Sequence, residues 1–141
     1  MEHTKDFLNL LLDRRSCRAF QPDPVDRPTL AAIVEAGRYA PSAMNIQKNH
    51  FYIITDPALL TQLTETVSRK LEGFAGRDFR YGAPALVLVT NRKRNTMALQ
   101  DASCAMENMM LAAYSMGVGS CWINQPFRLQ DDPDLRALLA P

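Results

Sequence analysis

Apolar residues recur along this chain at two different periods, and the changes of period mark out helices and strands in turn. Phe7, Leu8, Leu11 and Leu12 share one side of a helix that Thr4 can cap and that runs to roughly Arg14. Leu30, Ile33, Val34 and Gly37 repeat the helical spacing. Asp26 or Arg27 precedes that second helix, Pro28 suits its first turn, and it should end near Tyr39, before Pro41. The β-branched and aromatic run His50–Thr55 predicts a strand closed by Pro57, and Leu59 to about Phe74 predicts a helix. Ala85–Thr90 is continuously apolar after Pro84, which suits a central strand covered on both faces. From Thr96 to Met116 apolar positions encircle the predicted helix, so it should be buried on nearly all sides. In so small a chain that burial suggests a subunit interface.

Composition narrows the function classes. With 141 residues, 47% of them hydrophobic and 22% charged, residues 1–141 suit a single globular domain with its own core, which a dimer would help to bury. No repeat, low-complexity run or linker interrupts it. A net charge of +1 argues against nucleic-acid binding, which needs a concentrated basic stripe. The polar start Met1–Asp6 leads into only a short apolar run, so neither a signal peptide nor a membrane span is expected, and a cytoplasmic location is the default. Three cysteines, Cys17, Cys104 and Cys121, with two histidines and no Cys-x-x-Cys pair, predict neither a disulfide framework nor a metal site. Met97, Met106, Met109, Met110 and Met116 read as adaptable core or dimer interface.

The chemistry concentrates in two short segments. Arg14-Arg15-Ser16-Cys17-Arg18 sets three guanidiniums around a hydroxyl, a set that pairs well with phosphate oxygens or, equally, forms the solvated end of a helix. Pro41-Ser42-Ala43-Met44-Asn45-Ile46-Gln47 supplies amides able to read the edge of a heterocycle. A third segment, Gly117-Val118-Gly119-Ser120-Cys121-Trp122, follows the long apolar helix; glycine there permits close backbone approach to a ligand, or simply caps the helix. No Gly-x-Gly-x-x-Gly, catalytic triad or paired carboxylates accompany them.

Together, Arg-Arg-Ser-x-Arg-x-Phe at Arg14–Phe20, Ala-Pro-Ser-x-x-Asn-x-Gln at Ala40–Gln47, and the helix-to-glycine turn from Asp101 to Ile123 resemble the nitroreductase family of FMN-dependent oxidoreductases. The resemblance implies an α+β fold, a three-layer α/β/α sandwich with a central mixed sheet flanked by helices, forming a homodimer. It implies that Arg14, Arg15 and Ser16 hold the FMN phosphate, that Arg18 reaches the pyrimidine edge, and that Gly119 and Ser120 pass behind the ring. Pro41, Ser42, Ala43, Asn45 and Gln47 would contact the flavin from the partner subunit. NAD(P)H would pass hydride to the flavin, and a nitroaromatic, quinone or similar conjugated acceptor would then take electrons in the same slot, with no catalytic side chain. A flavin-storage module and a flavin-free dimeric scaffold are the alternatives. In the family, the segment resembling Asp131–Leu139 is followed by a further strand and a tail that commonly adds a basic residue to the phosphate; this sequence ends at Pro141, so the first motif is expected to carry the phosphate alone.

Overall fold

A computed structural model describes residues 2–91 and 95–139, with side chains from Asp6 onward. The elements are α1 (Glu2–Asp13), α2 (Arg27–Arg38), β1 (His50–Ile54), α3 (Pro57–Lys70), β2 (Leu86–Thr90), α4 (Ala98–Ser115) and α5 (Pro133–Leu139), with single 3-10 turns at Ala43–Asn45 and Pro126–Leu129. The α+β class holds. Among the described residues the sheet is small, β1 paired with β2, and an isolated parallel bridge joins Ser16 to Ser120.

Capping explains where the helices begin. The Asp26 carboxylate accepts the Thr29 N–H at 2.8 Å and the Thr29 hydroxyl at 2.9 Å, and Pro28 sits in the first turn of α2. Asp56 does the same for α3 through the Leu59 N–H at 3.0 Å, so Pro57 opens a helix rather than merely closing the strand. That helix stops at Lys70, short of Phe74. Helix α1 begins at Glu2, which puts Thr4 inside it and not at its cap.

The chain divides into two compact units. The first comprises Met1–Cys17, Val25–Ile53 and Val87–Cys121. Its core centres on Ile33, Met109 and Ala113, against which Val34, Phe51, Val87, Val89, Met106 and Val118 pack. Gly37 lets α2 and α4 approach, because a Cβ built there would lie 2.8 Å from Met109 Cγ and 3.2 Å from Phe51 Cε1. Helix α4 is buried along one stripe, Asp101, Ala105, Met109 and Ala113, spaced four residues apart. Within the single chain α4 is not buried on nearly every side, since Leu99 and Tyr114 are exposed. Strand β2 is half-buried throughout and not covered on both faces. The apolar side of α1 is also uncovered: Phe7, Leu8, Leu11 and Leu12 are all exposed, Leu12 to 68%. Apolar periodicity marks a face that wants cover, and it does not say whose surface provides it.

The second unit comprises Arg18–Pro24, Ile54–Leu86 and Trp122–Pro141. Leu60, Leu63, Val67, Leu71, Phe79 and Leu135 are buried. Lys70 at the end of α3 pairs with Asp132, at 2.8 Å, and with Asp134. Asp132 meanwhile accepts the N–H groups of Asp134 and Leu135, both at 3.0 Å, and so caps α5. No helix among the described residues is long and apolar enough to cross a membrane.

Candidate functional site

Helix α1 delivers the arginine motif to the turn that follows α4. Its last carbonyls are closed by Arg15, whose guanidinium donates to the carbonyls of Leu12 and, at 2.9 Å, Arg14. The chain then runs extended, and Cys17 donates its N–H to the Ser120 carbonyl at 2.9 Å beside the Ser16–Ser120 bridge. Helix α4 ends in a Schellman motif. Gly117, with φ of 73°, donates to Tyr114 at 3.0 Å, and Val118 donates to Ala113 at 2.9 Å. The result is an open cleft of about 320 Å³, lined by Asp13 at the end of α1, by Arg15, Ser16 and Cys17, by Tyr114 of α4, and by Gly117, Val118 and Gly119.

Arg14 stands next to this cleft in the sequence, and its surroundings are unusual. Its Nε lies 3.8 Å from Glu107 Oε1 on α4, while its Nη1 is shut off from solvent and has no hydrogen-bond partner among the described residues. A buried guanidinium nitrogen without an acceptor is costly, and an anion relieves that cost. Arg18 is exposed and belongs to the second unit.

The amide-rich segment is held elsewhere on the same unit. Ser42 Oγ accepts the Gln47 N–H at 3.0 Å, and Asn45 and Ile46 donate to the Ser42 and Ala43 carbonyls. Met44, Asn45 and Gln47 all occupy left-handed backbone, with φ of 51°, 55° and 47°. Ala43 is tied to Asp101, in the first turn of α4, through a 2.8 Å bond from its N–H to Oδ1. Asn45 and Gln47 are exposed, as is Met44 to 90%. Asp101 and Tyr114 lie thirteen residues apart on α4, roughly 20 Å along a helix that rises 1.5 Å per residue. Within one chain, then, the arginine cleft and the amide loop attach near opposite ends of α4.

Comparison with known proteins decides the lineage: the profile described as the Nitroreductase family matches residues 11–140. The chain belongs to the nitroreductase family. A nitroreductase of Bacteroides fragilis, solved with bound FMN, superposes with a TM-score of 0.89 at 37% identity, over 95% of this chain and 78% of that one. A nitroreductase from Desulfovibrio desulfuricans in complex with FMN gives a TM-score of 0.78 at 26% identity, over 96% and 77% of the two chains. Among curated proteins, one from Archaeoglobus fulgidus named as an NADH dehydrogenase/NAD(P)H nitroreductase is 30% identical over 139 residues, which is 96% of this chain and 76% of that protein. These matches place the chain among the oxidoreductases.

Sequence reasoning singled out the arginine, amide and glycine segments and missed what holds the amide loop. Asp101, Asn49, Asn91 and Asn95 form a hydrogen-bonded ring behind the amide loop. The one local hint was an aspartate on an otherwise apolar face of α4. A second open groove, of about 460 Å³, lies in the other unit beside Thr64, Ser68, Arg69 and Arg77. Arg80 braces the loop there through Thr64 Oγ1 at 2.7 Å and the Ala83 carbonyl at 2.8 Å.

Proposed function

We propose that this protein is an FMN-dependent oxidoreductase that uses NAD(P)H to reduce nitroaromatic, quinone or similar conjugated acceptors, acting as a homodimer. The observation that carries the reading is the buried Nη1 of Arg14, without a partner among the described residues and adjacent in sequence to Arg15 and Ser16, which line the cleft together with Gly119. The residues fit FMN. Arg14 and Ser16 would take the phosphate, Arg15 would add charge at the same edge, and Gly119 and Ser120 would lie behind the ring. Arg18 would face the pyrimidine edge, where a fixed cation favours the reduced, more negative ring. Bound FMN would supply the two-electron chemistry. The FMN complexes of the B. fragilis and D. desulfuricans nitroreductases support this reading.

The homodimer is proposed on two observations. The apolar side of α1 lacks cover, and the amide loop hangs from the end of α4 away from the arginine cleft. A two-fold partner would cover the first and would bring Pro41, Ser42, Ala43, Asn45 and Gln47 to the other copy's cleft.

The direct experiment is anaerobic addition of NADH, and then NADPH, to protein reconstituted with FMN. Flavin absorbance between roughly 350 and 500 nm should bleach and should return on addition of a quinone or nitroaromatic. Stable flavin that never bleaches would favour a storage module, and failure to take up FMN would leave a scaffold. Sedimentation should show a dimer that Leu12→Glu weakens.

A further inference from the structure

We infer that Asp101 is the positioning residue of the flavin site: from inside α4 it holds the amide loop in a left-handed conformation that the loop's own residues disfavour. The inference rests on the flavin reading above and goes beyond it, because that reading gives Asp101, at the start of the helix-to-glycine segment, no role.

The loop requires an external anchor. Three non-glycine residues among four successive positions, Met44, Asn45 and Gln47, have positive φ, and a left-handed methionine is a steric cost that solvent does not repay. With Met44 almost fully exposed, its side chain contributes no packing that would offset the strain. The compensating interaction is at the preceding residue, where the Ala43 N–H meets Asp101 Oδ1 at 2.8 Å. Asp101 is only 3% exposed, so this bond is shielded from competing water.

The chemistry of the ring explains why an aspartate is needed. Oδ1 is taken by Ala43, and Oδ2 accepts from Asn95 Nδ2 at 3.1 Å, so the position demands two acceptors. Among side chains of this length only a carboxylate has them. Asn95 cannot turn over to accommodate a donor, because its Oδ1 already accepts the Met97 N–H at 3.0 Å while its Nδ2 also reaches Asn91 Oδ1 at 3.3 Å. Asn91 passes the same polarity to Asn49 Oδ1 at 2.9 Å, and Asn49 Nδ2 closes the ring on the Asp101 carbonyl at 3.0 Å. Every amide is oriented by its neighbours, and the ring ends on the helix that carries Asp101. Asp101 touches the loop backbone and, through it, sets where the exposed Asn45 and Gln47 amides stand.

The test compares wild type with Asp101→Asn, Met44→Gly and the double variant. Far-UV circular dichroism checks folding, fluorescence titration of apoprotein with FMN gives affinity, and hydrogen exchange reports the Ala43 amide. Asp101→Asn leaves one donor opposed to another, so Ala43 should exchange at least tenfold faster and FMN should bind roughly tenfold to a hundredfold more weakly. Met44→Gly alone should change affinity little. In the double variant, glycine removes the left-handed penalty and should recover much of the lost affinity, a rescue that a merely structural aspartate would not show. If Asp101→Asn does not fold, Asn95→Ala, which strips one bond from Oδ2, should give a smaller loss of the same kind. Folded Asp101→Asn with unchanged exchange at Ala43, or with wild-type FMN affinity, overturns the inference, as does an unrescued double variant. A wild type that binds no FMN overturns the flavin reading instead, and the exchange rate then decides the anchoring by itself.

Discussion

Cys17 donates its backbone N–H to the carbonyl of Ser120 at 2.9 Å, a bond that helps to join two motifs separated by most of the chain. In the proposed flavin site neither motif would serve without the other, since the arginines would bring charge and the glycine turn close access.

Arg14→Met should split binding from stability. Methionine fills much of the same space without a buried unsatisfied nitrogen, so the apoprotein should melt no lower than wild type and could gain up to about 1 kcal/mol. FMN affinity should fall by about tenfold to a hundredfold, the worth of a charge-assisted bond. Calorimetry of apoprotein and flavin titration check the two halves, and full retention of FMN would remove Arg14 from the phosphate.

Gly117→Ala should cost about 1 kcal/mol for backbone strain alone. The residue sits at φ 73°, and an added Cβ would meet nothing within 4 Å, so no steric clash contributes. Urea unfolding measures this. Gly73→Ala, at φ 80° with equally open surroundings, should cost a similar amount without altering FMN affinity.

The clamp between α3 and α5 predicts a pH dependence of defined sign. The Lys70 ammonium, with the Leu135 N–H second, holds Asp132 below its ordinary 3.8, while Asp132 and then Asp134 hold Lys70 above its ordinary 10.5. A lowered carboxyl stabilises the fold above its unfolded value and loses that contribution as pH falls through the folded one. A raised ammonium contributes fully below 10.5 and is lost as pH rises through its higher folded value. Between these limits Lys70→Met should therefore unfold at lower urea than wild type, and the gap should shrink once pH drops below about 3.8. A gap that persists undiminished in acid would assign the loss to packing of the lysine stem.

Gly37→Val should cost about 2–3 kcal/mol by overpacking the contact with Met109 and Phe51. The steric origin is checked by pairing it with Met109→Ala: the double variant should lose less than the sum of the two single losses, because the removed side chain makes room for the added one. Strict additivity would refute the clash.

What could be read from the sequence was what is local. Asp26, Pro28 and the spacing Leu30, Ile33, Gly37 place α2 almost to the residue, since cap, proline and apolar period all act within a few positions. Asp56 is an equally good cap, obscured because Pro57 also reads as the end of a strand. The apolar surround of α4 and the apolar side of α1 were visible, but composition cannot distinguish a side chain covered by its own chain from one left open. The arginine and glycine motifs stood out by residue type. Asp101 did not, because its meaning depends on an amide 58 residues earlier in the chain.

The crossing at Gly37 has a mechanical consequence. Met109, the residue it admits, stands on α4 eight positions from Asp101 and eight from Gly117. The contact is in effect a fulcrum with arms of equal length: one carries the amide loop, the other the glycine turn. Any thickening at the fulcrum tilts both arms together. A carbon added at Gly37, which lines neither described cleft, should therefore register as a coordinated displacement at both ends of the rod.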